Sequence, residues 1–233
     1  MIRGNVRSEK PFWRKWIMNY SLGELIGIGI AASIGRFLFF TFPDSSVVSQ
    51  SALTVVILII AGIAEGYVLG HLQWKALSKI VPGFTPMLWI FVTTFSALAG
   101  WLFILPPGVM FIAFLSKISL ISTYSSYVYT MVVGAAFGGL IGFPQFFIIR
   151  KYFKNAGVWI VSNTVGWMLS FLIVYSALLL FNYTTSFALN FLLIALACIL
   201  SGLVQGFITG TSLHFFMSLR KMDDNLYGIV KGK

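Results

Sequence analysis

Six apolar stretches, at about residues 17 to 42, 52 to 74, 87 to 115, 124 to 149, 156 to 181 and 188 to 217, alternate with short polar segments. Each can cross the roughly 30 Å hydrocarbon core of a bilayer as an α-helix rising about 1.5 Å per residue. The pattern predicts an all-α integral membrane protein with six transmembrane helices, since a helix satisfies its own backbone where no water can. Composition agrees. Of 233 residues only 9% are charged and 58% are hydrophobic, with mean hydropathy +0.92, whereas a soluble domain carries about 25% charge. A water-soluble globule and a disordered chain are excluded. The single cysteine, Cys198, supplies neither an intrachain disulfide nor a thiolate metal cluster.

The net charge of +10 would suggest nucleic acid on a soluble surface, but the basic residues cluster between apolar runs, so lipid is the expected partner. Arg3, Arg7, Lys10, Arg14 and Lys15 precede the first run, and Lys75 and Lys79 follow the second. Arg150, Lys151 and Lys154 follow the fourth, and Arg220, Lys221, Lys231 and Lys233 follow the sixth. The other side holds Lys117 alone, and Arg36 lies inside the first run. The positive-inside rule then places both termini in the cytoplasm of a prokaryotic plasma membrane. The first run exceeds the roughly 7 to 15 residues of a signal-peptide core and lacks a small-residue cleavage site.

Three glycine ladders recur: Gly62, Gly66 and Gly70; Gly134, Gly138 and Gly142; Gly202, Gly206 and Gly210. A Trp-Ile pair recurs before them, as Trp16-Ile17, Trp89-Ile90 and Trp159-Ile160. The repeat is a two-helix unit, at approximately 12–79, 85–154 and 155–221, with 222–233 as a cytoplasmic tail, all within a single membrane domain 1–233. Direct repeats of this kind are expected around a pseudo-threefold axis along the membrane normal. Glycines at i, i+4 and i+8 form a stripe that lets helices approach closely, so the even-numbered helices are expected to make the inner contacts. Similar spacing in all three units leaves no room for an extra crossing at Pro106-Pro107, which is read as a kink in a third helix reaching about residue 115.

The blocks EGYVLGHLQW (Glu65 to Trp74) and GGLIGFPQFF (Gly138 to Phe147) are followed by WIFVTTFSALAGW and WIVSNTVGW. Over about residues 61 to 167 the chain resembles a group of uncharacterised prokaryotic multispanning membrane proteins with repeated Gly-x-x-x-Gly-x-x-Gln and Gly-Trp elements. The resemblance implies a prokaryotic membrane protein and no particular activity. The third block, GLVQGFITGTSL, has Leu213 where the others have Gln73 and Gln145. The Pro-x-Asp/Glu-x-x-Lys/Arg signature of mitochondrial carriers, which also have three two-helix repeats, is missing.

Charge inside the bilayer costs at least about 2.5 to 3.5 kcal/mol per group at the centre. Counted from Trp16 and Trp74, Glu24 and Glu65 lie eight and nine residues inward, about 12 to 14 Å deep. Gln205 is the repeat counterpart of Glu65, while the second unit has Phe137. Together Glu24, Glu65 and Gln205 make a candidate proton, cation or substrate site, because two nearby carboxylates in low dielectric share a proton or attract a counter-ion. Against this stand a Glu24 paired at the interface with Arg14, Lys15 or a headgroup, and a Glu65 that is a neutral core acid. Arg36 is expected near the outer interface, snorkelling or paired with Asp44.

Gln73, Gln145 and Asn163 are expected to hydrogen-bond between helices. Trp13, Trp16, Trp74 and Trp89 read as an aromatic belt, and His71 and His214 as interfacial or packing residues. No nucleotide loop, His-Glu-x-x-His or cysteine metal pair is present, so neither enzyme, metal nor cofactor is expected. The leading function is passage of a small solute or cation; the alternative is a non-catalytic subunit or assembly factor of a larger membrane complex with a protein partner. With both termini inside, an impermeant amine reagent should modify Lys79 and Lys154 from the same side of sealed vesicles. Modification from opposite sides would break the two-helix repeat.

Overall fold

The computed structural model describes residues 9–41, 47–81, 83–106, 123–180 and 186–231. These form six α-helices and no strand: α1 (Glu9–Thr41), α2 (Val47–Leu77), α3 (Pro86–Phe103), α4 (Thr123–Ile149), α5 (Gly157–Leu180) and α6 (Phe187–Lys231). Five contain stretches long and apolar enough to cross a membrane: Ala52–Leu77, Pro86–Phe103, Ser125–Ile149, Gly157–Leu180 and Ala188–Leu219. The remaining helix, α1, has 33 residues, more than the roughly 20 a crossing needs.

Short reversals join α2 to α3 and α4 to α5. Each uses one left-handed residue, Gly83 at φ 73° and Asn155 at φ 56°, the residue types that enter this region at least cost. Pro86 then opens α3 behind Thr85, where its missing N–H is no loss.

The helices are apolar outside and small or polar inside. On α3, Met87, Phe91 and Phe95 are 82%, 64% and 62% exposed, while Trp89, Thr93, Ser96, Ala97 and Gly100 are buried. Large apolar side chains meet the hydrocarbon, and small residues let the backbones close together.

Each helix packs on its neighbours in sequence, and α6 closes back onto α1, giving a ring of six. The glycine ladders lie in alternate seams. A Cβ on Gly62 would come within 2.6 Å of the Leu98 Cα, and one on Gly66 within 2.5 Å of the Thr94 Cα, both on α3. The α4 ladder lies against Trp167, Asn163 and Ile160 of α5, and the α6 ladder against Ser21, Ile17 and Trp16 of α1. The even-numbered helices were expected to make the inner contacts through these stripes; the partner each stripe meets is the neighbouring odd-numbered helix. The physical reason is that a ladder is a groove, and the partner helix sinks its own backbone into it.

α3 ends at Phe103, and after a turn at Ile104 the chain is helical again at Leu105 and Pro106; the expected kinked continuation to about residue 115 lies from 107 onward outside the described residues. α6 continues as helix through the expected tail to Lys231. Asp44 and Lys117 lie outside the described residues, as does the side chain of Arg36.

Adjacent glycines on α4 give an internal control. Gly138→Ala drives a methyl into the Asn163 carbonyl of α5, whereas a methyl at Gly139 meets nothing nearer than Thr164 Oγ1 at 3.6 Å. Detergent unfolding should show Gly138→Ala destabilised by roughly 1 to 3 kcal/mol and Gly139→Ala unchanged; equal effects would contradict the close seam.

Candidate intramembrane carboxylate site

Two polar layers occupy the inside of the ring. In the first, Trp16, Trp89 and Trp159 are fully buried, and Trp159 packs on both others, with centroids 6.1 Å from Trp16 and 6.0 Å from Trp89. Their indole N–H groups each find an acceptor. Trp89 donates to Gln73 Oε1 at 3.1 Å and Trp159 to Gln145 Oε1 at 3.0 Å. Gln145 Nε2 donates in turn to Thr93 Oγ1 at 2.8 Å and to Gln73 Oε1 at 3.4 Å. Trp16 donates to Thr209 Oγ1 at 3.0 Å. Leu213, which stands where the first two units carry glutamine, is fully buried, so Thr209, one turn away, supplies the acceptor that Leu213 lacks.

Trp16 and Trp89 thus lie fully buried inside the ring rather than in an outward-facing belt; Trp13 and Trp74 are half-buried. The reason is the short hydrogen-bonding reach of glutamine and threonine on neighbouring helices, which draws each ring inward. Asn163 also departs from expectation. Its amide nitrogen donates within α5, to the Trp159 carbonyl at 2.9 Å, as a short amide does when a backbone carbonyl lies one turn back. The side chain wedges against Gly142 of α4.

The second layer holds the acids. Glu65 on α2, Phe137 on α4 and Gln205 on α6 each rest on a glycine of the helix before it: Gly27, Gly100 and Gly166. A Cβ on Gly27 would come within 2.7 Å of the Glu65 Cα. Phe137 fills its place with aromatic contacts, 4.5 Å from Trp167 and 5.5 Å from Phe171. Glu65 Oε2 accepts a 2.5 Å hydrogen bond from Trp101 Nε1. Glu24 on α1 is fully buried and in electrostatic contact with Glu65. Neither oxygen of Glu24 nor Oε1 of Glu65 has a hydrogen-bond partner, and the same holds for Ser201 Oγ and Gln205 Nε2. Gln205 Oε1 meets Ser170 Oγ at 3.5 Å, while that hydroxyl donates to the Ser201 carbonyl at 3.2 Å.

The chain matches no family model, no curated protein and no solved structure. Its chemistry must be read from these layers. Glu24 and Glu65, placed at one depth by counting residues, are brought together; Gln205 is buried on the adjoining helix, against Gly166 of α5. The interfacial alternative for Glu24 loses its basis, since the side chain is inside the ring with no donor on either oxygen.

Trp101, Tyr20, Thr93, Thr209, Ser170 and Ser201 were not singled out by sequence. Trp101 carried a signal in the Gly100-Trp101 pair, and Thr209 one in the missing third glutamine; the serines carried none. His71 stacks between Tyr67 and Trp74, at centroid distances of 6.1 and 5.5 Å. Among the described residues no group of three His, Cys, Asp or Glu side chains is arranged to hold a metal.

The first layer predicts strong coupling. Gln145→Leu orphans the Trp159 indole and should cost roughly 1 to 3 kcal/mol. Adding Trp159→Phe removes the stranded donor, while Thr93 keeps its own acceptor in the Trp89 carbonyl at 2.9 Å. A double-mutant cycle by detergent unfolding should therefore give a combined loss smaller than the sum of the two single losses. Simple additivity would dismiss the shared network.

Proposed function

We propose that this is a multispanning protein of a prokaryotic plasma membrane, with cytoplasmic termini, that moves a small cation or a proton-coupled small solute. Glu24 and Glu65 exchange the positive charge, with Gln205 as polar support. The six helices are three copies of a two-helix unit around a pseudo-threefold axis, and departures from that symmetry mark the working residues. Glu65 replaces an aromatic counterpart, Phe137, and Glu24 stands beside it.

The observation that carries this reading is the pair of fully buried carboxylates with three of four oxygens unpartnered. Two negative charges inside hydrocarbon are too costly to stand without neutralisation. Two protons, a proton with a monovalent cation, or one divalent cation would balance them. A purely structural acid is ordinarily surrounded by donors, and among the described residues only Trp101 donates here.

A second reading, a subunit or assembly factor of a larger membrane complex, draws support from the tightly packed tryptophan layer, which fills the axis as a rigid scaffold would. Reconstitution into proteoliposomes separates the two. Under an imposed proton or sodium gradient, Glu24→Gln and Glu65→Gln should each reduce cation-linked flux to the level of protein-free vesicles while keeping the wild-type helical circular dichroism. Unchanged flux in both variants would eliminate the carboxylate site. Recovery of a stoichiometric partner from native membranes, without flux for the isolated chain, would instead establish the subunit reading.

A further inference from the structure

The three glycine-bearing helices are alike in their ladders and unlike on their inner faces. On α6, Cys198, Ser201, Gln205, Thr209 and Ser212 follow one another at intervals of three or four residues, which confines them to one narrow stripe. All five are buried, the first four to 1% exposure or less. Their counterparts on α2 are Leu58, Ala61, Glu65, Leu69 and Leu72; on α4 they are Thr130, Val133, Phe137, Ile141 and Pro144. Two of the three faces are thus mainly apolar, and one bears a polar or thiol group at every step.

Packing accounts for only part of that stripe. Thr209 is held by Trp16, and the Ser212 hydroxyl pairs with that of Ser162 on α5. Ser201 Oγ and Gln205 Nε2 are buried without a partner, an arrangement that costs stability unless something occupies it. The upper end of the stripe reaches the level of the acids: Gly202, beside Ser201, lies against Ser21 of α1, one turn from Glu24, and Cys198 is within electrostatic reach of both Glu24 and Glu65. The facing side of α1 is polar over the same distance. Tyr20, one turn from Glu24, lies within side-chain hydrogen-bonding reach of Thr209 and Gln73, and Trp16 follows one turn further.

We propose that the buried polar face of α6 is the hydrated lane joining the Glu24–Glu65 pair to the tryptophan layer, with Ser201 and Gln205 contacting the moving proton or cation. The lane rests on the carboxylate reading for its cargo. It is closed in this structure where Trp16 donates to Thr209, so traffic along it requires that contact to part. The other two glycine-bearing helices, α2 and α4, offer no such polar route, since Leu69 and Ile141 fill the places that correspond in sequence to Thr209.

The single native cysteine makes the lane testable in the full-length protein. In a Cys198→Ala background, Ser201→Cys, Gln205→Cys and the lipid-facing control Leu200→Cys, whose native side chain is 50% exposed, are treated in sealed proteoliposomes with a small cationic methanethiosulfonate. Cysteines at 201 and 205 should react at least about tenfold faster than the control, because the reactive thiolate forms only where water reaches. Modification at 201 should also block flux. Ser201→Ala should reduce flux with the helical circular dichroism unchanged, which guards against misfolding of the cysteine variants.

Reaction at 201 and 205 no faster than at 200, together with undiminished flux in Ser201→Ala, would overturn the lane. The two proposals fail separately. Loss of flux in Glu24→Gln and Glu65→Gln with unreactive lane positions leaves the carboxylate site standing without this route. Fast reaction in the lane with undisturbed flux in both glutamate variants leaves a water path that the carboxylates do not serve.

Discussion

Close approach of helix backbones in a solvent that gives them no hydrophobic reason to associate is the constraint on which this structure depends. In hydrocarbon, helices gain contact energy only where their surfaces interlock. Glycine ladders at Gly62, Gly134 and Gly202 and one and two turns onward supply grooves deep enough for another helix's Cα atoms. Each groove is filled by the next odd-numbered helix, and the last takes the first. Ring closure thus follows from three similar seams rather than from a central post, which leaves the inside of the ring for side chains.

What fills that inside divides into a satisfied layer and an unsatisfied one, and the contrast is the most informative feature of the molecule. Around Trp16, Trp89 and Trp159 each indole finds an acceptor, and where Leu213 interrupts the glutamine pattern Thr209 takes over. Polar groups paired so fully in low dielectric rigidify their surroundings. Further along the helices, Glu24, Glu65, Gln205 and Ser201 keep five polar atoms without partners among the described residues. Elsewhere among the described residues Trp74 Nε1 and the amide oxygens of Asn163 and Asn190 are also buried without a partner, but no buried carboxylate is. On the function proposed above, the difference marks the place of an exchangeable occupant.

Departures from the internal pattern carry the same message. Equivalent places on α2, α4 and α6 hold a carboxylate, a phenyl ring and an amide, each seated on a bare glycine. The phenyl ring shows that an aromatic group satisfies this place for packing alone. A carboxylate there costs energy that packing does not return, and the stripe of hydroxyl, amide and thiol groups on α6 repeats the argument over four turns.

Hydrophobic pattern by itself determined the class, the number of helices and most of their limits, because run length and the absence of charge respond directly to the bilayer's thickness. Counting from Trp16 and Trp74 put Glu24 and Glu65 at one level, as the rise per residue is fixed, and both side chains are buried inside the ring. The sequence also marked Gln73, Gln145 and the glycines as contact residues, through their recurrence. Azimuth was not legible. Which way Trp16, Trp89 and Trp159 point, which helix each ladder receives, that Trp101 reaches Glu65 and that Thr209 stands in for a glutamine depend on contacts between residues up to 193 positions apart. A helix with large apolar residues outside and small ones inside has too weak a periodicity to reveal its inner face, and only the closed ring decides which polar groups meet a partner and which are left waiting for one.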